Sequence, residues 1–252
     1  MEQVQTSYMG YHLFNEDLDK LPVSSKTLVN TINQYSFCVA QEDAEFKKAL
    51  NNSDVLLPDG IGIVMALKFT TGQSIKKISG TDVHNHLLVK LNNTNGKCFY
   101  MGSSEKTLEK IKQRLLREYP NIICETYSPP FKDQFTDKEN DQIIEKINSF
   151  NPDVLFVGMT APKQEKWSMV QKDKINAKLI CSIGAVFDFF AGTVKRPAQI
   201  WIDMGLEWFV RLCNEPKRMW KRYLVYGPVF AYVLLKEKFR IDFLDMKTSS
   251  QA

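Results

Sequence analysis

The hydrophobic pattern of the chain alternates between short apolar runs and segments whose apolar residues recur every three or four positions. Short apolar runs bounded by Gly, Pro or Asn are typical of buried strands, and the longer spacing is typical of amphipathic helices. The predicted strands are residues 26–32, 55–57, 97–101, 121–127, 153–157 and 177–183. The predicted helices are residues 33–50, 60–68, a segment from 80, 105–118, 137–150 and 162–171.

This alternation predicts an α/β fold, a Rossmann-like and mostly parallel sheet with helices on both faces. Residues 1–24 precede the alternation and are interpreted as an extended or hairpin-like lead-in.

The pattern changes after Gly192. One apolar helical stripe is predicted, then a short helix over residues 218–226 and an apolar segment over 228–235. The stripe comprises Trp201, Met204, Trp208 and Leu212. We therefore expect a core over residues 1–194 and a helical appendage over residues 195–252.

The composition is that of a soluble globular protein, with 44% hydrophobic and 25% charged residues among 252. No apolar run reaches the roughly 18 residues of a membrane span. The first ten residues have neither a basic region nor an apolar core, so no secretory signal is expected there. Five scattered cysteines without CxxC spacing indicate reduced thiols rather than disulfides or a zinc site.

The charge is unevenly distributed. Residues 195–240 contain ten Lys or Arg and four acidic residues, a net +6, although the whole chain carries only +4. A basic tail on a near-neutral body suggests an anionic partner such as phosphate, a membrane or nucleic acid.

The stretch of residues 52–64 contains a candidate catalytic group. A short apolar run ends at Pro58-Asp59-Gly60, and an apolar helix begins directly after it. Ligands bind beyond the carboxyl ends of strands in α/β proteins, which places Asp59 at a position typical of active sites. On this stretch alone, a cap of the following helix is the favoured role of Asp59, and the helix amides would then hold its carboxylate ionised.

Three other strand ends have side chains or amides that suit a ligand. The turn that starts at Gly102 offers amides and hydroxyls to a phosphate or ribose, and Gln164 follows a predicted strand. Asp188 lies in an aromatic run, where a carboxylate requires hydrogen bonds or a ligand. A structural Asp bonded to backbone amides explains Asp188 as well as ligand binding does.

The helix predicted to begin at residue 80 has Thr81 or Asp82 as its expected cap.

The glycines of Gly60-Ile61-Gly62 resemble the start of a dinucleotide-binding turn, but Met65 occupies the third glycine position. A tight turn is therefore the better explanation of those glycines. A Rossmann-type oxidoreductase remains an alternative.

The appendage combines arginines with aromatic residues. Arg211, Arg218 and Arg222 could reach one phosphate group, although a solvated basic face is the usual explanation of such a cluster. Interleaved Trp and Tyr favour a membrane-interface helix, so a non-catalytic membrane adaptor is a second alternative. Nucleic acid is not expected, because these aromatics group with Leu and Met instead of forming a stacking platform.

Six segments together resemble the WecG/TagA/CpsF family of bacterial glycosyltransferases over nearly the whole chain. The matching segments are Thr31-Ile32-Asn33, LLPDGIGIV at 56–64, Gly80-Thr81-Asp82, GMTAPKQEKW at 158–167, GAVFDFFAGTVKRP at 184–197 and GLEWFVRLCNEPKRMWKRY at 205–223.

The resemblance implies an inverting transferase of the GT-E type that uses neither a metal nor another cofactor. It implies transfer of N-acetylmannosamine, its uronic acid or a related hexose from UDP to a polyprenyl-diphosphate-linked sugar. It also implies a peripheral protein on the cytoplasmic face of the membrane, bound through residues 195–245. A homo-oligomer is compatible with the sequence.

The resemblance assigns Asp59 as the general base, with Thr31 beside it. It assigns substrate binding to Asn33, Gln164, Asp188, Arg211, Arg218, and Lys221 or Arg222, and the Gly102 turn is compatible with the same role. One position departs from the family: Lys77 replaces the usual Arg three residues before Gly80. Lysine keeps the charge but loses the bidentate fork, so the resemblance does not assign Lys77 to the donor or to the acceptor.

Overall fold

The structure, a computed structural model, describes residues 5–23 and 26–249. The parts of the predicted lead-in and appendage that fall on residues 1–4, 24 and 250–252 lie outside the described residues. The strands are β1 (Gln5–Tyr8), β2 (Tyr11–Phe14), β3 (Thr27–Ile32), β4 (Val55–Pro58), β5 (Lys97–Gly102), β6 (Ile123–Tyr127), β7 (Val154–Gly158) and β8 (Leu179–Ser182). The helices are α1 (Gln34–Glu42), α2 (Ala44–Asn51), α3 (Ile61–Thr71), α4 (Gly80–Asn93), α5 (Glu105–Glu118), α6 (Asp137–Phe150), α7 (Lys163–Gln171), α8 (Val186–Phe190), α9 (Gln199–Asp203), α10 (Glu207–Asn214), α11 (Pro216–Trp220) and α12 (Tyr226–Ser249).

Strands β3 to β8 form one sheet in the order β4-β3-β8-β7-β5-β6. Every neighbouring pair in it is parallel. Strands β1 and β2 form a separate antiparallel hairpin. The predicted α/β fold class is therefore confirmed, and the described part of the lead-in contains a hairpin.

Alternate residues of the inner strands pack on opposite faces of the sheet, as the two-residue period of a strand requires. On β7, Val154 and Phe156 belong to a cluster with residues of α4, α5 and α8. Leu155 and Val157 belong to a cluster with residues of α6 and α7. Helices therefore cover both faces, and the carboxyl ends of all six strands meet at one edge of the sheet.

The single helix predicted over residues 33–50 is wrong, because the chain forms two helices there. Asp43 interrupts the segment with an extended backbone, and its Oδ1 accepts a hydrogen bond from the Phe46 amide at 3.0 Å. Asp43 is thus the cap of α2. The predicted cap of α4 is also wrong: Ser79 is the cap, and Asp82 bonds back to it as the third residue of a capping box.

The single stripe predicted over residues 201–212 is divided between α9 and α10. Gly205 separates them in the left-handed region with φ 73°, a conformation that a side chain would disfavour. The helix predicted over residues 218–226 is also divided. It consists of α11, a π-helical turn at Lys221–Val225 and the start of α12.

Helix α12 returns to the core. Phe230 is buried in a cluster with Phe37 of α1 and Ile63 of α3. The rings of Phe37 and Phe230 lie 5.5 Å apart in an edge-to-face arrangement. This packing attaches the appendage beside the core helices α1 and α3. The boundary between residues 194 and 195 stays a prediction.

Candidate active site

A cavity of about 1360 Å³ lies at the carboxyl edge of the sheet. Residues at or just after the ends of β3 to β8 form its floor, and residues of the appendage form a wall. Ten of the eleven site residues predicted from the sequence line this cavity. They are Thr31, Asn33, Asp59, Gly102, Gln164, Asp188, Arg211, Arg218, Lys221 and Arg222.

Asp59 is the first residue after β4. Its amide donates to the Ile32 carbonyl at 2.9 Å, which fixes the turn against the end of β3. Gly60, with φ 95°, is the residue that precedes α3. Among the described residues, no amide at the start of α3 donates to the Asp59 carboxylate. The capping interpretation of Asp59 is therefore wrong, and the carboxylate is left for the cavity.

The environment of Asp59 makes its carboxyl a weaker acid. Its pKa is raised to about 6, mainly by burial and to a smaller extent by the nearby Glu207 carboxylate. Arg222, Lys77 and Arg211 act in the opposite direction. The expectation that helix amides hold Asp59 ionised is therefore wrong, since desolvation is the largest effect. A carboxylate with a pKa near 6 can accept a proton at neutral pH.

Thr31 and Asn33 lie at the end of β3, next to the Asp59 turn. Thr31 pairs with Leu57 in the register of β3 and β4. The Asn33 side chain caps α1, because its Oδ1 accepts from the amides of Tyr35 and Ser36 at 3.1 Å each. Asn33 therefore has a structural role as well as a position in the cavity wall.

Gly102 allows two strand ends to approach closely. A Cβ on Gly102 would lie 2.3 Å from the Gly158 carbonyl oxygen, and the residue has φ 115°. A side chain would therefore clash with the backbone of Gly158 at the end of β7. The adjacent Ser104 is occupied in capping α5 through the Thr107 amide.

Gln164 is buried at the start of α7, and its amide is bonded within the protein. Its Oε1 accepts from the Met159 amide at 3.2 Å, and its Nε2 donates to Glu165 Oε1 at 2.9 Å. Glu165 also lines the cavity, and burial raises its pKa to about 7. Its other carboxyl oxygen is buried without a hydrogen-bond partner among the described residues. Glu165 was not predicted from the sequence as a site residue.

Asp188 is half-buried on α8 and faces the cavity. Its Oδ1 accepts from the Thr193 hydroxyl at 3.2 Å. The amides of Thr193 and Val194 bond to its main-chain carbonyl, not to its side chain. The interpretation of Asp188 as a buried residue whose side chain binds backbone amides is therefore wrong.

The appendage places arginines at two depths. Arg211 and Arg222 are partly buried and stack on aromatic rings, with guanidinium-to-centroid distances of 5.3 Å to Phe189 and 4.9 Å to Tyr35. Arg218 and Lys221 are exposed, and Arg218 pairs with Glu215 at 3.1 Å. Two further cations of the appendage, Arg196 and Lys217, also line the cavity, although the sequence did not predict them as site residues.

Lys77 does not line the large cavity but lines a smaller one of about 90 Å³, which Asp59 also lines. Five residues belong to both cavities: Asn33, Asp59, Glu207, Arg211 and Arg222. Lys77 Nζ lies 3.8 Å from Glu207 Oε2, an ion pair between core and appendage. Glu207 was not singled out from the sequence because a charge in the first turn of a helix is common.

The glycine that resembled a dinucleotide motif has a packing explanation. A Cβ on Gly62 would lie 3.0 Å from Gln34 Oε1, so a glycine lets α3 approach the start of α1. In the described part of the chain, no group of three or more His, Cys, Asp or Glu could hold a metal ion. No helix within residues 5–23 and 26–249 is long and apolar enough to cross a membrane.

The fold and cavity define a parallel-sheet α/β protein with a ligand site at its carboxyl edge and a helical appendage beside that site. Residues 9–242 match the model described as "Glycosyl transferase WecG/TagA/CpsF family". The chain belongs to this family of glycosyltransferases, which confirms the resemblance found in the sequence. Membership argues against the oxidoreductase and adaptor alternatives.

Curated relatives match most of the chain. A Bacillus subtilis (strain 168) protein is 32% identical over 235 residues, 92% of this chain and 87% of that protein. A Staphylococcus aureus (strain MRSA252) protein is 28% identical over 196 residues, 78% of this chain and 74% of that protein. Both are named N-acetylglucosaminyldiphosphoundecaprenol N-acetyl-beta-D-mannosaminyltransferase.

Proposed function

We propose that the protein transfers N-acetylmannosamine, or a closely related hexose, from UDP to a polyprenyl-diphosphate-linked N-acetylglucosamine. The names of the curated relatives support this donor sugar and this acceptor. The observation that carries the proposal is Asp59, a carboxyl with a raised pKa in a cavity whose wall contains Arg211 and Arg222.

In the proposed reaction, Asp59 removes the proton from an acceptor hydroxyl. The hydroxyl oxygen forms a bond to the anomeric carbon of the donor sugar, on the face opposite the diphosphate. The bond from that carbon to the phosphate oxygen breaks, and its electron pair leaves with UDP. This sequence inverts the anomeric centre and leaves the proton on Asp59. A positioned base contributes roughly 10²–10⁴-fold in rate.

The leaving diphosphate develops negative charge that requires neutralisation. Arg211 and Arg222 are partly buried, where a charge interaction is stronger than in water. Arg218 and Lys221 extend the positive wall toward solvent. Because these cations are part of the chain, we propose that transfer requires no metal and persists in EDTA. Thr31, Asn33, Gln164 and Asp188 are proposed to position the donor.

A panel of UDP-sugars with a short-chain N-acetylglucosamine-diphosphate lipid tests the reaction by mass spectrometry. We expect one added N-acetylhexosamine mass from UDP-N-acetylmannosamine, with and without EDTA. Product from another UDP-hexose alone would change the donor assignment. No product from any donor would contradict the proposed function.

We also propose that the appendage binds the cytoplasmic membrane surface, where a lipid-linked acceptor resides. The appendage exposes several large apolar side chains and is rich in cations. They include Trp201, Met204, Phe209, Trp220, Leu224 and Tyr232. The core helix α3 adds Ile61, Met65 and Phe69, which are exposed at i, i+4 and i+8 on one face. Ile61 also lines the small cavity together with Trp208 of α10.

Sedimentation with anionic phospholipid vesicles tests this surface. We expect the triple variant Trp201→Gln, Met204→Gln, Trp220→Gln to lose most vesicle binding. The triple variant Ile61→Gln, Met65→Gln, Phe69→Gln should lose less. A control that replaces Leu116 and Val170, exposed apolar residues on α5 and α7, by Gln should bind normally. Equal binding by all the variants and the wild type would contradict the proposed membrane surface.

A further inference from the structure

Glu207 connects a cation of the core to a cation of the appendage. It is the first residue of α10, and its Oε2 lies 3.8 Å from Lys77 Nζ. Its Oε1 lies 4.0 Å from Nη1 of Arg211, one turn further along the same helix. Both distances exceed those of a good hydrogen bond, so the interactions are mainly between charges.

The same carboxylate lies close to Asp59. Glu207 and Asp59 line both cavities, and Glu207 is the group that raises the Asp59 pKa most after burial itself. The charged groups that oppose it are Lys77 from the loop before α4, Arg211 from α10 and Arg222 from the π-helical turn. The remaining titratable group that lines the small cavity is Tyr223 of that turn.

Three cations next to one carboxylate create a conflict for a general base. The cations are needed for a leaving diphosphate, but each of them also stabilises the ionised form of Asp59 and makes it a poorer proton acceptor. A second carboxylate between two of the cations reduces this effect. Glu207 occupies such a place, because it pairs with Lys77 and Arg211 but not with Arg222.

We propose that Glu207 is a positioning residue for transfer. It holds Lys77 and Arg211 beside Asp59, and its negative charge offsets their stabilisation of the ionised Asp59 carboxylate. This inference rests on the proposed function, in which Asp59 is the general base. Glu207 acts through Asp59 and the two cations. It also makes the base depend on the docked appendage, since α10 carries both Glu207 and Arg211.

The test compares the pH dependence of transfer in the wild type and in Glu207→Gln. The acid limb of kcat is the pH range in which kcat falls as Asp59 becomes protonated. Removal of the Glu207 charge lowers the Asp59 pKa, so this limb should move to lower pH by roughly 0.5–1 unit. A base of lower pKa is less effective when fully ionised, so kcat at pH 8 should fall. The ratio of variant to wild-type activity should therefore decrease as the pH rises from 5 to 8.

Two variants serve as controls. Glu207→Asp keeps the charge and should keep the acid limb of the wild type, even if its kcat is lower. Glu237→Gln removes another arginine-paired glutamate of the appendage, on α12 and outside both cavities, and should change neither kcat nor its pH dependence. A ratio of Glu207→Gln to wild-type activity that is constant with pH would overturn the inference, because a merely structural role lowers activity equally at every pH.

A stability measurement gives a second readout that does not depend on activity. Asp59→Asn should raise the melting temperature at pH 7.5 less in the E207Q background than in the wild type, because Asp59 is then a stronger acid. Equal increases in both backgrounds would also overturn the inference. Absence of transfer by the wild type would instead contradict the proposed function, so the two failures are distinguishable.

Discussion

The floor and the wall of the large cavity are built in different ways. The floor includes the carboxyl ends of β4 and β5, at Pro58-Asp59 and Gly102, and both strands are almost entirely buried in the six-stranded sheet. The wall consists of short helices with few buried residues: α10 has none and α11 has only Met219. The more buried part thus contains the candidate base, and the less buried part contains the arginines. The difference indicates that the sheet fixes the position of Asp59, whereas charged residues of the appendage adjust the Asp59 pKa.

Replacement of Asp59 by Asn should have the largest effect on activity. The amide keeps the shape of the side chain but cannot accept the proton, so transfer should fall by roughly 10²–10⁴-fold. Initial rates with the lipid acceptor measure this. Asp19→Asn, on an exposed aspartate outside both cavities, is the matched control and should transfer normally. Retention of most activity by Asp59→Asn would remove this residue from the role of base.

Replacement of Arg222 by Gln tests the wall and should reduce transfer by roughly 10²-fold, because a partly buried cation no longer faces the diphosphate. The loss of a positive charge also raises the Asp59 pKa, so the acid limb should move to higher pH. This shift is opposite to the one expected for Glu207→Gln.

Arg240→Gln is the control for Arg222, since Arg240 pairs with Glu237 at 2.6 Å on α12 and lies outside both cavities. It should leave transfer unchanged. Similar losses in the two arginine variants would show that general charge, not the wall, governs the rate.

The stability of Asp59→Asn should exceed that of the wild type at neutral pH. Asp59 has its pKa raised from 3.8 to about 6 on folding, so the unfolded chain ionises first as the pH rises. Stability is therefore lost between about pH 4 and pH 6, and the amide avoids this loss. The full shift corresponds to about 3 kcal/mol, and the partial exposure of Asp59 to the cavity reduces the expected gain to about 1–2 kcal/mol.

Denaturant unfolding at pH 7.5 and at pH 3.5 measures this gain. It should be present at pH 7.5 and nearly vanish at pH 3.5, where Asp59 is protonated in the folded state and mostly protonated in the unfolded chain. An Asp59→Asn protein that is less stable than the wild type at pH 7.5 would contradict the desolvated state of the carboxylate.

The smallest effect is expected for Lys77→Arg. The charge is kept and a bidentate fork is gained toward Glu207, which lies 3.8 Å from Lys77 Nζ. We expect kcat to change less than about threefold, whereas Lys77→Gln should move the acid limb of kcat to higher pH. A large loss in Lys77→Arg would indicate that the pocket fits lysine specifically.

The sheet and its strand-end residues could be predicted from the sequence, because a short apolar run that ends at Gly or Pro indicates a buried strand without knowledge of distant contacts. Asp59 and Gly102 were found in this way. Glu165 and Glu207 were missed, since a glutamate in a first helical turn is ordinary and only the packing of distant elements gives it a raised pKa or an ion pair. The break between α9 and α10 at Gly205 was missed because the apolar residues on both sides of it keep the spacing of one continuous helix.

The pH dependence of wild-type transfer most directly tests the claim that a desolvated Asp59, balanced by the appendage charges, is the base. We predict a plateau of kcat above about pH 7 and a tenfold decrease per pH unit below about pH 6. Glu165 is the other cavity carboxyl with a raised pKa, about 7. If Asp59 is the base, the decrease of kcat at low pH should persist in Glu165→Gln. A kcat that stays constant down to pH 4.5, or a limb that disappears in Glu165→Gln, would contradict the claim.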